Sequence, residues 1–143
     1  MMKLYYKNKI LQKNLRIKSS EIGNIEFTWD YKEDIYYTLI IYDIDTPFTF
    51  VNLLVINIPR NDIEYGTILL DYINPSLNTH RYIIAVFEQT KIITNPKSYV
   101  RDKFPIGTFL LVNNLTLLDD EMIICSNNEF YLVNRSNKKN III

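Results

Sequence analysis

The chain has 143 residues and a mass of 17.0 kDa, which is enough for one domain with a sizeable core. With 48% hydrophobic and 22% charged residues, the composition excludes a disordered tail and a disulfide-framed miniprotein. Sixteen Lys and Arg balance sixteen Asp and Glu, so the basic excess that is usual in nucleic-acid-binding domains is missing. We therefore expect a single domain over residues 1–143 and no nucleic-acid partner.

Four segments in the first two-thirds of the chain are rich in β-branched and aromatic residues, which is typical of strands. They are Ile35–Tyr42, Val51–Ile58, Gly66–Asp71 and Arg81–Gln89. Turn-forming residues separate them, as in the Pro-Arg-Asn-Asp sequence at 59–62. Short strands joined by short turns predict an antiparallel, mainly β core rather than alternating strands and helices.

The last third of the chain contains one candidate helix and one candidate hairpin. Pro105–Asn114 predicts a helix that begins at a proline, although Thr108–Val112 is equally compatible with a strand. Met122–Cys125 and Glu129–Val133 predict the two strands of a hairpin around the Ser-Asn-Asn sequence at 126–128.

The sequence favours the cytoplasm as the location. Cys125 is the single cysteine, so no internal disulfide can form. No run approaches the ~18 apolar residues of a transmembrane helix, and the first residues do not read as a secretory signal. Because Ile, Asn, Lys and Tyr are abundant, the gene is expected to come from an AT-rich genome. If that genome is viral, the virion is the alternative location.

Two blocks of sequence occur in an order that is more informative than either block alone. The first, Tyr37–Pro47, reads YTLIIYDIDTP. The second begins with GTILLDY at Gly66–Tyr72, continues through Pro75 to HRY at His80–Tyr82, and ends with VFEQ at Val86–Gln89. A weaker third part consists of Trp29-Asp30 before the first block and Arg101 with Phe104 after the second.

This ordered set resembles the phosphatidylethanolamine-binding protein family, also called the Raf kinase inhibitor protein family, over roughly residues 29–104. The resemblance implies a large antiparallel sheet flanked by a smaller one, with few short helices. It also implies a non-enzymatic binding module with a small pocket for phosphate or a phosphoethanolamine headgroup, and no cofactor. The positions that match the family's pocket, with a second aspartate in the same loop, are Asp43, Asp45, Pro47, Pro75, His80 and Tyr82.

The residue types at these positions suit anion binding. In an extended strand His80 and Tyr82 face the same side, and Arg81 faces the other. An imidazole and a phenol hydroxyl can both hold an anionic oxygen, and a carboxylate such as Asp43 can fix the imidazole tautomer. Asp43 and Asp45 are expected to share a face where the chain leaves its strand.

The chain departs from the family pattern at one pocket position. The family has a second histidine where this chain has Asn52, and the loops at 48–51 and 74–79 are shorter than usual. A neutral amide cannot become cationic, so we expect weak phosphate binding that Asn52→His improves near pH 6.

Other interpretations of these residues stay open from sequence alone. His80 could be a hydrogen-bonded structural residue, and Asp43 and Asp45 could simply form a turn before Pro47. Arg81 is expected to be solvated or paired, and Cys125 to be an inert buried thiol. The residues do not fit a zinc site or a Ser-His-Asp hydrolase.

The alternative function is a structural or protein-interaction role in which the fold is kept and ligand binding is lost. The apolar end at Ile141–Ile143 is consistent with it, because we expect these residues to pack on the sheet or on a neighbouring chain.

Overall fold

The computed structural model describes residues 1–75 and 78–134, in which ten strands and one α-helix are present. The strands are β1 Met2–Tyr6, β2 Lys9–Ile10, β3 Ile17–Lys18, β4 Glu26–Trp29, β5 Tyr36–Asp43, β6 Phe50–Pro59, β7 Thr67–Leu70, β8 His80–Gln89, β9 Leu115–Ser126 and β10 Glu129–Val133. The helix α1 spans Ile106–Val112, and 3₁₀ turns occur at Ser19–Asn24 and Ile63–Tyr65.

Seven strands form one large sheet in the order β3-β10-β9-β8-β5-β6-β7, and three form a small sheet in the order β2-β1-β4. All pairings between these strands are antiparallel. The mainly β class, the large and small sheets and the scarcity of helices agree with the fold that the sequence predicts.

The large sheet is covered on both faces, which explains why its central strands are apolar almost throughout. On one face, Leu39 and Ile84 pack against residues of the small sheet such as Leu4 and Trp29. On the other face, residues such as Ile83 pack against α1 and the segment that precedes it. A strand buried on both faces loses the alternating pattern and reads as a continuous hydrophobic run.

Asparagine residues form the tight hairpin between β9 and β10. Asn127 and Asn128 have φ angles of 53° and 64°, and they join β9 to β10 with Ser126 opposite Glu129. Positive φ at both central positions is the requirement of a type I′ turn, which asparagine tolerates better than most residues. The hairpin predicted around residues 126–128 is therefore confirmed.

The structure confirms the predicted helix at 105–114, and the observed elements differ from the predicted ones in two places. The helix forms rather than the alternative strand, because its two turns bury Phe109 and Leu110 on the sheet. Strand β9 begins at Leu115, well before the predicted Met122, because it pairs along the whole of β8. Strands β1–β4 are not predicted from the sequence. The expected packing of Ile141–Ile143 lies outside the described residues.

At one edge of the sheet a buried polar network fixes the chain after β8. Gln89 Oε1 accepts hydrogen bonds from Thr38 Oγ1 at 2.7 Å and from the backbone N–H of Asn57 at 2.8 Å. Gln89 donates to Asn57 Oδ1 at 2.8 Å and to the Lys91 carbonyl at 3.1 Å. The Asn57 side chain in turn donates to the Ile93 carbonyl and accepts from the Ile93 backbone N–H. This network gives a structural role to Gln89 of the VFEQ sequence.

The opposite edge brings the predicted site residues together. Strand β5 ends at Asp43 where β8 begins at His80, because antiparallel neighbours meet end to start. Asp43 lies directly opposite Tyr82 in the pairing register, so the two side chains share a face of the sheet.

Candidate functional site

A histidine–aspartate pair forms the centre of the candidate site. His80 Nδ1 lies 2.5 Å from Asp43 Oδ2. The Asp43 side chain is 5% exposed and the His80 side chain 20% exposed. The carboxylate is therefore behind the imidazole, and the imidazole is the member of the pair that solvent or a ligand can reach.

The second oxygen of the Asp43 carboxylate fixes its position. Asp43 Oδ1 accepts a hydrogen bond from the backbone N–H of Asp45 at 2.8 Å. This contact from a side chain to the backbone two residues later is an Asx turn. The turn and the histidine partner, which are alternatives in sequence analysis, are thus present together, one on each carboxylate oxygen.

The pair determines what the imidazole can do chemically. An ionised carboxylate only accepts hydrogen bonds, so the Nδ1 of His80 must donate to Asp43. The other ring nitrogen, Nε2, is then an acceptor in the neutral ring and a donor in the protonated ring. Only the protonated form can donate from Nε2 to an anion.

Tyr82 and Cys125 complete this face of the sheet around the pair. The Tyr82 ring lies 6.3 Å from the imidazole ring, and Tyr82 is 1% exposed. Cys125 lies opposite His80 in the register of β9 and is 1% exposed. Burial, with the Asp43 charge adding to it, raises the pKa of the Cys125 thiol to about 12. At neutral pH Cys125 is therefore a protonated, inert thiol, in agreement with the expectation from sequence.

Asp45 does not join this pair, so the expectation that Asp43 and Asp45 share a face is wrong. Its carboxylate accepts hydrogen bonds from the Arg81 backbone N–H at 2.7 Å and from the Arg81 guanidinium, with 2.6 Å to Nη2. Arg81 is on the side of β8 opposite to His80. Strand β5 ends at Asp43, so the alternation of faces does not extend to Asp45. The Arg81 guanidinium holds the pKa of Asp45 below its usual value.

Asn52, where the family pattern has a histidine, is held by the neighbouring chain. Asn52 is 2% exposed, and its Nδ2 donates to the Ile73 carbonyl at 3.2 Å. The backbone carbonyl of Asn52 accepts from the Ile73 N–H at 3.0 Å. Among the described residues Asn52 makes no hydrogen bond with His80 or Asp43, and its Oδ1 is buried without a partner.

Arg101 makes backbone contacts next to Asn52 that the sequence does not indicate. Its guanidinium donates to the carbonyls of Val51 and Asn52, at 3.2 Å each, and to the carbonyl of Asp71. It thereby ties the start of β6 to the segment after β7. The only sequence signal was its place in the weak third part of the motif set, three residues before Phe104.

The two prolines lie in segments that connect strands. Pro47 is exposed in the loop that follows Asp45. Pro75 is half-buried and lines a cleft of about 550 Å³. The other residues that line the cleft are Lys18, Ser19, Ser20, Asn74, Asn127, Asn128 and Glu129. The structure therefore brings Asp43, His80 and Tyr82 together, and it places Pro75 in a cleft beside polar residues of β3 and the β9–β10 turn.

The arrangement of the two sheets occurs in a known structure. A solved structure of the phosphatidylethanolamine-binding protein from Plasmodium vivax superimposes with a TM-score of 0.52 at 18% identity, over 78% of this chain and 70% of that one. The chain has the fold of a phosphatidylethanolamine-binding protein. This confirms the fold that the sequence motifs imply.

Sequence comparison adds a distant relative, and no protein-family model matches the chain. The 26 kDa secreted antigen of Toxocara canis is 33% identical over 105 residues. The match covers 66% of this chain and 35% of the antigen, so the chain spans about a third of that relative's length.

Two features are absent from the described parts of the chain. Residues 1–75 and 78–134 contain no cluster of three or more His, Cys, Asp or Glu side chains that could hold a metal ion. No helix in those residues has the length and apolar character needed to cross a membrane.

Proposed function

We propose that this phosphatidylethanolamine-binding-protein-like chain is a non-enzymatic binding and regulatory module. Its ligand is a phosphate-like anion, supplied by free phosphate or by a phosphoethanolamine headgroup. The observation that carries the proposal is the 2.5 Å contact between His80 Nδ1 and Asp43 Oδ2. A buried carboxylate holds the partly exposed imidazole in one orientation, with Nε2 free to meet a ligand.

The electrostatic balance of the edge is compatible with a singly charged or protonated phosphate group. Asp43 is paired with His80, and the charge of Asp45 is neutralised by Arg81. Neither carboxylate is therefore an uncompensated negative charge at the site. Protonation of His80 then gives the imidazole a donor at Nε2 for an anionic oxygen.

The chemistry of the site supports binding rather than catalysis. Cys125 is buried and protonated at neutral pH, so it is not a nucleophile. The one imidazole is engaged with Asp43, and the hydroxyls at the neighbouring cleft, Ser19 and Ser20, are not bonded to it. We therefore assign no reaction to the pair.

The proposal is tested by isothermal titration calorimetry at pH 6 with phosphate and, separately, with phosphoethanolamine. We expect His80→Gln to weaken binding by ten- to a hundredfold, because a hydrogen bond to a charged group is worth roughly 1.5–3 kcal/mol. Lys91→Gln is the control, since it removes an exposed positive charge from the opposite edge of the sheet. Equal affinity in wild type and His80→Gln, or equal losses in both variants, would contradict the proposal.

A second prediction concerns the position of the missing histidine. Asn52→His is expected to strengthen phosphate binding about tenfold at pH 6 and less at pH 8, where an unperturbed imidazole is neutral. Calorimetry at both pH values, with thermal melting to show that the buried change is tolerated, measures it. No gain at pH 6 in a folded variant would mean that Asn52 lies outside the ligand's reach.

The second candidate function is a protein-interaction role without a small ligand. The observation that favours it is the Asn52 amide, which is tied to Ile73 and cannot become a cation. This candidate predicts no calorimetric heat with either anion. It also predicts a protein partner or self-association that His80→Gln leaves unchanged, measured by light scattering and pull-down.

We place the protein in the cytoplasm, or in the virion if the genome is viral. The support is Cys125, a single free thiol in the core. The Toxocara canis relative is named a secreted antigen, and a secreted location is accordingly the alternative. Fractionation of expressing cells, with detection of the protein in the medium, distinguishes the two.

A further inference from the structure

The charges of this neutral chain are unevenly distributed. Residues 1–20 contain six basic side chains and no Asp or Glu, which leaves ten basic against sixteen acidic residues in the remainder. The six are Lys3, Lys7, Lys9, Lys13, Arg16 and Lys18. This basic segment contains β1, β2 and β3 and includes the first hairpin of the molecule.

The hairpin of β1 and β2 exposes part of this charge at its tip. Lys7 and Asn8 have φ angles of 50° and 64°, which form a tight two-residue turn between Tyr6 and Lys9. Lys3, Lys7 and Lys9 are exposed and form no ion pair within the described part of the chain. The side chain of Lys7 lies over the Tyr6 ring, 5.3 Å from its centroid.

Acidic side chains near the hairpin compensate the positive charge of the basic segment only in part. Lys13 Nζ is 3.1 Å from Glu121, and Arg16 is 4.0 Å from Glu129. Glu21 accepts a hydrogen bond from the Tyr6 hydroxyl, and Glu26 lies opposite Tyr5 in β4. The lysines at the tip are therefore the least compensated part of the segment.

Large apolar side chains accompany these lysines. Ile10 is 54% exposed and Leu15 is 52% exposed. Both line a groove of about 350 Å³. The other residues that line it are Tyr6, Lys7, Lys9, Leu11 and Gln12. An apolar groove with lysines at its edge has the composition of a surface that enters the headgroup region of a bilayer.

We infer that the hairpin surface, formed by residues Lys7, Lys9, Ile10 and Leu15, docks on lipid bilayers that contain anionic phospholipids. The lysines complement the charge of the lipid headgroups, and the two exposed apolar side chains insert at the boundary of the acyl region. Nucleic acid would use the lysines but would leave Ile10 and Leu15 in water. The inference does not depend on the His80 site, because none of its residues contacts that pair.

The test is cosedimentation of the full chain with vesicles of phosphatidylcholine alone or with 30% phosphatidylserine. We expect binding only to the vesicles with phosphatidylserine, and weaker binding at high salt because ions screen exposed charges. Lys7→Gln with Lys9→Gln is expected to weaken binding about 25-fold, since each lysine near an anionic surface contributes roughly fivefold. Ile10→Ser with Leu15→Ser is expected to weaken it at least tenfold.

The matched control is Lys91→Gln with Lys97→Gln, which makes the same charge change on two exposed lysines of a distant loop. It should leave vesicle binding unchanged, and thermal melting should show that all three variants fold. Neither vesicle contains phosphatidylethanolamine, which separates this surface from the proposed anion site.

Four results would overturn the inference. One is equal binding to both vesicle types. Another is a loss of binding in the control that equals the loss in Lys7→Gln with Lys9→Gln. The third is a preference for duplex DNA that the serine variants do not alter, which would identify a nucleic-acid surface. A change in oligomeric mass with the serine variants, measured without lipid, would instead assign the groove to a second copy of the chain and would equally overturn it.

Discussion

At the scale of single residues, one carboxylate organises the candidate site. Asp43 uses one oxygen to hold the imidazole of His80 and the other to hold the backbone of Asp45. The motif set predicts the first contact, because a strand that ends at Asp43 and a strand that begins at His80 meet at one sheet edge. It does not predict that Asp45 turns to Arg81, because side-chain direction beyond the end of a strand depends on the turn that follows.

The Asp45–Arg81 pair predicts a pH dependence of stability. Arg81 lowers the pKa of Asp45 in the folded chain, so the pair stabilises the fold above the unfolded carboxyl pKa of about 4, and this contribution is lost as the pH falls through the folded value. Asp45→Asn should therefore cost less than about 1 kcal/mol at pH 7, because the pair is at the surface. The difference from wild type should shrink toward pH 3.

Urea denaturation of both proteins from pH 7 to pH 3 measures this dependence. Asp102→Asn is the control, because Asp102 is exposed and forms no ion pair with the described residues. A difference between wild type and Asp45→Asn that grows as the pH falls would have the wrong sign for this account.

At the scale of elements, the strands that the sequence predicts are those buried on both faces. Strands β5, β6 and β8 read as continuous apolar runs, and their observed bounds lie within one residue of the predicted ones. The sequence analysis does not predict β1 to β4. Strands β2 and β3 have two residues each, too few to show a pattern, and they form by pairing with β1 and β10. The three acidic residues at 119–121 interrupt the apolar pattern in the middle of β9, so the sequence predicts only its last part.

A pair of glycines gives the sharpest prediction at this scale. A Cβ added at Gly66, before β7, would lie 2.6 Å from a methyl carbon of Val55 and 2.9 Å from the Ile56 carbonyl oxygen. Gly66→Ala should therefore destabilise the fold by about 1–3 kcal/mol through overpacking. Gly107→Ala meets nothing within 4 Å and lies in α1, so it should stabilise the fold by about 0.5 kcal/mol.

Thermal and denaturant unfolding of the two glycine variants decide this prediction, and each variant is the control for the other. Equal stability changes for Gly66→Ala and Gly107→Ala would show that the Gly66 backbone is not in close contact with β6.

At the scale of the whole molecule, the large sheet separates a structural edge from a candidate binding edge. Gln89 and Asn57 fix the chain at the structural edge, and His80 with Asp43 occupies the other. The ordered motifs predict both sheets and the meeting of His80 with Asp43, because they include the residues at which these strands begin and end. They do not predict the hydrogen bonds from Arg101 to the Asn52 carbonyl or from Asn52 to the Ile73 carbonyl. Both join a side chain to the backbone of a segment that is distant in sequence.

The central claim is that the imidazole of His80, oriented by Asp43, meets a phosphate-like anion. His80 is the only histidine in the chain, so its ring nitrogens give one unambiguous set of ¹⁵N signals. The most direct measurement is an NMR titration of those signals with phosphate at pH 6, in wild type and in Asp43→Asn. The account predicts a saturable shift of the Nε2 signal in wild type and a much weaker response in Asp43→Asn. Imidazole signals that stay constant in wild type while phosphate is added to saturating concentration would contradict it.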